Sequence, residues 1–175
     1  MEQRFIMTAF GKDRPGIVAD VTQLIYESGC NLEDSEMTRL SDEFAMILLF
    51  SGNAEGLEDK LTMGCRRLEI EKGLSAYIRP VPPAEVQGEK EQSVHTLSVE
   101  GFDQAGIMYK VSRYLAQNSI NIIDLRSKLA RSAESGQPFY TIKMMIEIPE
   151  GTALDRLDQG FAEIEEHLHI DIRLE

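Results

Sequence analysis

The residues in this chain best suited to recognising a small charged molecule are glycines, aspartates and asparagines that occur twice. Gly11, Asp13, Gly16, Ile17, Val21, Asn31 and Asp34 recur ninety positions later as Gly101, Asp103, Gly106, Ile107, Val111, Asn121 and Asp124. Composition alone would give about one or two identities in such a window, so seven mark an internal repeat of domain size. A glycine-containing turn that opens a helix presents unpaired backbone N–H groups at the positive end of the helix dipole, a ready site for a carboxylate. Asn31 and Asn121 offer both an amide donor and a carbonyl acceptor. Asp13, Asp34, Asp103 and Asp124 can hold an ammonium group. Together these groups suit a zwitterion. The same residues also admit a purely structural reading, with glycines placed for helix–strand packing, asparagines for a helix end and aspartates for turns.

The elements that must position these groups follow from the period of the apolar residues. Phe5, Met7 and Ala9 alternate as a strand, and Ile17, Val21, Leu24 and Ile25 fall at helical spacing after Asp13-Arg14-Pro15-Gly16. Pro15 suits a first helical turn and Gly29 the helix end. Residues 31–40 and 44–50 read as strands around Ser41-Asp42-Glu43. Leu57, Leu61, Cys65 and Leu68 form a second helical stripe, and Leu74, Ala76 and Ile78 a last strand. The second half repeats the order: strand 94–99, a helix through Ile107, Val111 and Leu115, strands 122–129 and 140–148, a helix carrying Leu154, Leu157, Phe161, Ile164 and Leu168, and a strand through Ile170, Ile172 and Leu174. Residues 132–138 lengthen the turn that Ser41-Asp42-Glu43 makes in the first copy. Twice βαββαβ is the α+β, ferredoxin-like arrangement, in which an antiparallel four-stranded sheet carries both helices on one face. The expected domains are 1–80 and 93–175, joined by an exposed linker at 81–92 that contains Pro82, Pro83 and Gly88.

The net charge is −12, with nine basic against fourteen acidic residues in 1–80 and nine against sixteen in 81–175. Neither half carries a basic run, which disfavours direct binding to nucleic acid or to an anionic membrane surface. The N-terminus lacks signal-peptide character and no apolar stretch is long enough to span a bilayer, so a cytoplasmic location is expected. Cys30 and Cys65 form no CxxC and read as small buried hydrophobes. His95, His167 and His169 lie away from any nucleophile motif, and His167 and His169 read as surface residues. The chain contains neither G-x-x-x-x-G-K nor G-x-G-x-x-G. No metal or cofactor is expected, and no catalytic residue stands out.

The segment Gly11-Lys12-Asp13-Arg14-Pro15-Gly16-Ile17-Val18-Ala19-Asp20-Val21, followed by Gly29-Cys30-Asn31-Leu32-Glu33-Asp34, resembles the ACT domain signature. Asp103-Gln104-Ala105-Gly106-Ile107 and Ser119-Ile120-Asn121-Ile122 match it more loosely. The resemblance covers nearly the whole chain in two copies. It implies that domains pair side by side or face to face and that small effectors, most often amino acids, bind where they meet. Within the family, a free-standing tandem of this length most resembles the group of transcriptional repressors of the glycine cleavage system, which makes glycine the first ligand to consider and a DNA-binding activator the expected protein partner. Family members that bind serine have polar side chains where this chain has Gly11, Asp13 and Asn31. Carried over position by position, the expected ligand contacts are Gly11, Asp13, Arg14, Gly16, Ile17, Asn31, Leu32 and Asp34, then Asp103, Gly106, Ile107, Asn121, Ile122 and Asp124. The first copy is expected to be the better site, because Arg14 and Pro15 do not recur. An exposed sheet edge makes a homodimer plausible.

Two other readings compete with a non-enzymatic amino-acid sensor that regulates transcription by protein contact. One is a ligand-free interaction subunit of a biosynthetic enzyme. The other is a small ferredoxin-like enzyme acting on acyl phosphates, which would need Arg14 and Asn31 to converge on one anion.

Overall fold

The computed structural model describes residues 2–82, 92–132 and 136–175, with Gln92 described in its backbone alone. The elements are β1 (Gln3–Lys12), α1 (Ile17–Glu27), β2 (Asn31–Leu40), β3 (Glu43–Gly52), α2 (Leu57–Lys72), β4 (Ser75–Val81), β5 (Gln92–Phe102), α3 (Ile107–Gln117), β6 (Asn121–Arg131), β7 (Pro138–Pro149), α4 (Leu154–Leu168) and β8 (Ile170–Leu174). The chain divides into two compact units, Met1–Val86 and Gln87–Glu175. Each is a βαββαβ fold whose antiparallel sheet has the order β2-β3-β1-β4 or β6-β7-β5-β8. The tandem ferredoxin-like reading holds.

In unit 1 the alternation of β1 and β3 sends Phe5, Met7 and Ala9, and Phe44, Met46, Leu48 and Phe50, to one face of the sheet. The register sets Phe5 against Phe50 and Met7 against Leu48, so same-face neighbours pack across strands, with the two Phe rings 5.9 Å apart. Helix α1 buries Ile17, Val21, Leu24 and Ile25 and helix α2 buries Leu57, Leu61, Cys65 and Leu68 in the same core. Unit 2 builds its core from Leu97, Val99, Ile107, Val111, Leu115 and the even-numbered residues Ile142 to Ile148, closed by Leu157, Phe161 and Leu168.

Glycine notches let the helices of each unit approach. A Cβ on Gly64 would strike Leu24, and one on Gly160 would strike the Tyr114 ring. Tyr114 also meets Phe161 edge-on at 5.3 Å and donates its hydroxyl to the carbonyls of Arg156 and Leu157. Both cysteines are buried and free, and burial pushes the Cys65 thiol up to about 11.

Several local details differ from the sequence expectation. Pro15 lies one residue ahead of the N-cap Gly16 rather than within the first helical turn. Leu154 is half-exposed at the start of α4 rather than part of its buried stripe. At the linker, β4 continues through Val81 and β5 begins at Gln92, while residues 83–91 lie outside the described residues, as do 133–135 of the expected inserted loop.

Candidate functional site

Gly16 caps α1 with φ +87° and Gly106 caps α3 with φ +98°, both in the left-handed region that favours glycine. A Cβ at either position would meet nothing within 4 Å, so backbone conformation, not helix–strand packing, requires the glycine. Neither helix has a side-chain cap, which leaves first-turn N–H groups facing outward at the positive end of the dipole. The glycines before them differ. Gly11 and Gly101 lie inside β1 and β5, where a Cβ would stand 3.1 Å from Leu74 Cδ2 and 2.5 Å from Ile170 Cγ2 respectively. Their role is close packing against the start of the last strand of each unit. Ile17 and Ile107 are buried core residues, so only their backbone faces the loop.

The charged loop residues of unit 1 are engaged by neighbours that the sequence did not single out. Asp13 pairs with Arg39 of β2 at 3.3 Å, and its N–H donates to Asp42 O at 2.7 Å. Arg14 turns to Asp20 on α1 at 2.6 Å, and Lys72, in the last turn of α2, meets the other oxygen of Asp20 at 3.3 Å. The Arg14 hydrogen bond, helped by Lys72, holds the Asp20 carboxyl below its ordinary value. In unit 2 the corresponding Gln104 instead donates its side-chain amide to the Leu168 carbonyl at the end of α4. A depression of about 520 Å³ opens there at the start of α3, lined by Asp103, Gln104, Gly106, Met108, Tyr109 and Tyr140. Tyr109 and Tyr140 are unanticipated: Tyr109 falls where unit 1 has Ala19, and Tyr140, which faces Gly101 across the sheet as Phe44 faces Gly11, is displaced by the inserted residues from simple repeat numbering.

Asn31, Leu32 and Asp34 sit at the opposite end of the sheet. Asn31 pairs in register with Ser51, whereas Leu40 pairs with Glu43, the residue that also faces Lys12 just before the loop. Helix α1 runs between the Asp13–Gly16 loop and Asn31, and its length sets them about 20 Å apart, far beyond the span of one amino acid. The structure therefore does not bring Asn31 and the Asp13–Gly16 loop of the same unit together. It also separates Arg14 from Asn31, which removes the pair that an acyl-phosphate enzyme would need. Leu32 is half-exposed, and the β2 ladder shifts register between Leu32 and Asp34. Glu33, at that bulge, receives Arg4 at 2.6 and 3.0 Å, and hydrogen bonds from Arg4 and Ser51 lower its carboxyl.

The second copy repeats this separation with different partners. Asn121 donates to Glu147 at 3.0 Å, Asp124 lies 3.5 Å from Arg126, and Ile122 packs partly into the core. Among the described residues no three His, Cys, Asp or Glu side chains group to hold a metal ion, and no helix is long and apolar enough to cross a membrane.

Comparison with known proteins agrees with this architecture. A family model described as "ACT domain" matches residues 3–75. The glycine cleavage system transcriptional repressor of Escherichia coli (strain K12) is 26% identical over 162 residues, covering 89% of this chain and 80% of that protein. A UPF0237 protein of Methanopyrus kandleri is 38% identical over 69 residues, 39% of this chain and 72% of its own. A solved protein of unknown function from Galdieria sulphuraria, 26% identical, superposes with a TM-score of 0.78 over 100% of this chain and 98% of its own. The family model matches unit 1, and unit 2 repeats its βαββαβ order and its glycine-capped first helix, which places the chain in the ACT domain family as a tandem of two such domains.

Proposed function

We propose that this chain is a non-enzymatic, cytoplasmic regulator that binds a small amino acid, glycine first among the candidates, and controls transcription by contacting another protein. The observation that carries the reading is the similarity to the E. coli repressor across both units rather than one. The acidity of both halves supports action through protein contact rather than on DNA. Geometry adds a constraint on the ligand site. The helix N-terminus at Gly16 suits a carboxylate and the asparagine end of β2 suits an ammonium or amide partner, but a single domain holds them at opposite ends. A complete site therefore takes the loop of one ACT domain and the asparagine end of another. Bound ligand then favours one arrangement of domains, and the activator-like partner reads that arrangement.

Thermal denaturation with each of the twenty amino acids tests this reading. Glycine at about one hundred times its dissociation constant is expected to add about 2.7 kcal/mol to stability, and Asn31→Ala is expected to abolish the gain. No shift with any amino acid, in a chain that still captures a protein partner, would favour the ligand-free interaction subunit instead.

A further inference from the structure

Four of the nine basic residues in 81–175 stand together on one face of the unit 2 sheet. The register aligns Arg126, Lys143, Ser98 and Arg173 in one row across β6, β7, β5 and β8, with Lys128 one row along beside Thr141. Leu97, Val99, Ile142 and Met144 hold the intervening core positions, so the row lies on the side away from the helices. The Arg126 side chain is 85% exposed, and Lys128, Lys143 and Arg173 are exposed as well. Asp124 reaches Arg126 at 3.5 Å, but among the described residues no hydrogen bond or ion pair engages Lys128, Lys143 or Arg173.

Unit 1 shows that the fold does not need this charge. Its equivalent row is Glu36–Ile47–Thr8–Tyr77, so only the central hydroxyl is shared. Like charges directly opposite one another across a sheet are destabilising, and Arg126 stands opposite Lys143. An anion from outside relieves that repulsion.

We propose that this row docks a short acidic segment of a protein partner, which crosses the strands and sets its carboxylates on Arg126, Lys143 and Arg173. Such docking rests on the protein-contact part of the function proposed above and not on amino-acid binding. Three gaps of about 4.8 Å make the row about 14 Å long, and alternate residues of an extended peptide lie about 6.8 Å apart, so three alternate carboxylates match it end to end. The neighbouring rows limit the occupant. Asp124 lies on one side and Glu100 and Asp171 on the other, so negative charge is accommodated along one line only. A polynucleotide, charged at every phosphate, would meet those carboxylates, whereas a peptide with uncharged residues beside its acidic run does not. In a chain of net charge −12 the contact is weak and transient.

Fluorescence anisotropy of a labelled peptide with glutamate at three alternate positions, titrated with the full chain at about 50 mM salt, tests the proposal. Binding is expected with a dissociation constant of about 100 µM, weakening about tenfold by about 0.5 M salt as the Debye length falls. Lys143→Glu is expected to weaken it about tenfold or more, and Arg173→Gln about threefold, both at unchanged circular dichroism. Arg79→Glu, an exposed charge change on unit 1, is expected to leave binding within about twofold of wild type. Absence of binding overturns the proposal, as does an equal loss in Arg79→Glu and Lys143→Glu, which would reduce the effect to net charge. A single-stranded thymidine oligonucleotide of about ten residues that binds more tightly than the peptide, with the same dependence on Lys143, overturns the choice of a protein and the proposal with it. Arg173→Gln remains decisive if Lys143→Glu does not fold. The titration contains no free amino acid, so its failure leaves the amino-acid thermal shift standing, and absence of that shift leaves the peptide contact standing.

Discussion

Units 1 and 2 tie the same loop to the same end of the second helix by unlike chemistry. In unit 1 the tie is ionic, running from Arg14 through Asp20 to Lys72, with Asp13 adding a link to Arg39 on the edge strand. In unit 2 it is one uncharged hydrogen bond from Gln104 to the Leu168 carbonyl, and Lys110 stands where Asp20 would be. The difference teaches that loop placement is the conserved requirement between the copies, and that side chains are interchangeable means to it. It also separates what the copies offer a ligand. Unit 1 surrounds its helix start with engaged charges, whereas unit 2 leaves a depression bounded by two tyrosines. Arg14, which does not recur in the second copy, serves the tie.

The helix crossings give the largest way to break the parallel. Gly160→Ala is expected to cost about 3 kcal/mol, because its Cβ displaces a ring that is also held by hydrogen bonds to Arg156 and Leu157. Gly64→Ala should cost less, about 1–2 kcal/mol, since the end of Leu24 can rotate. Hydrogen exchange resolved by unit, alongside chemical denaturation, would show whether each loss stays in its own unit.

A smaller effect concerns the loop glycines. Gly16→Ala and Gly106→Ala meet no atoms, so each is expected to cost about 1–2 kcal/mol from left-handed strain alone. Equal losses in the two units would confirm that backbone conformation alone sets the requirement.

The far ends of α1 and α3 sharpen the comparison further. Both close with the same pair of carbonyl contacts, Cys30 N–H to Ile25 O and Gly29 N–H to Tyr26 O in one, Ile120 to Leu115 and Ser119 to Ala116 in the other. Gly29 sits at φ +73° without penalty, whereas Ser119 holds φ +58° as an L residue. Ser119→Gly is therefore expected to stabilise unit 2 by about 1 kcal/mol, read as a rise in its denaturation midpoint.

The ionic tie predicts a pH dependence that unit 2 lacks. The Asp20 carboxyl is depressed in the folded chain, so its contribution is present above its unfolded value and lost as pH falls through the folded one. Asp20→Asn should lower the melting temperature of unit 1 near neutral pH, and the gap to wild type should close in acid. A gap that persists in acid would assign the tie to packing rather than charge.

The element order was legible because each element states its own period. Phe5, Met7 and Ala9 alternate, Ile17, Val21, Leu24 and Ile25 step helically, and both patterns survive folding because burial rewards them locally. The candidate site was legible only in its parts. Gly16 and Gly106 announce a helix start, but Arg39, Lys72 and Tyr140 reach the loops from elements remote in sequence, and no local pattern marks them.

By itself the sequence determined that there are two βαββαβ domains, which residues form their cores, and that a glycine opens the first helix of each. Tertiary structure decided that Asn31 stands a helix length, about 20 Å, from the loop that its repeat spacing had grouped with it, because α1 runs from the loop to the far end of the sheet, where β2 begins. It also decided which alternate residues of β1 and β3 lie uncovered. Period two assigns residues to opposite faces, but only the packed helices determine which face meets the core and which is left for something else.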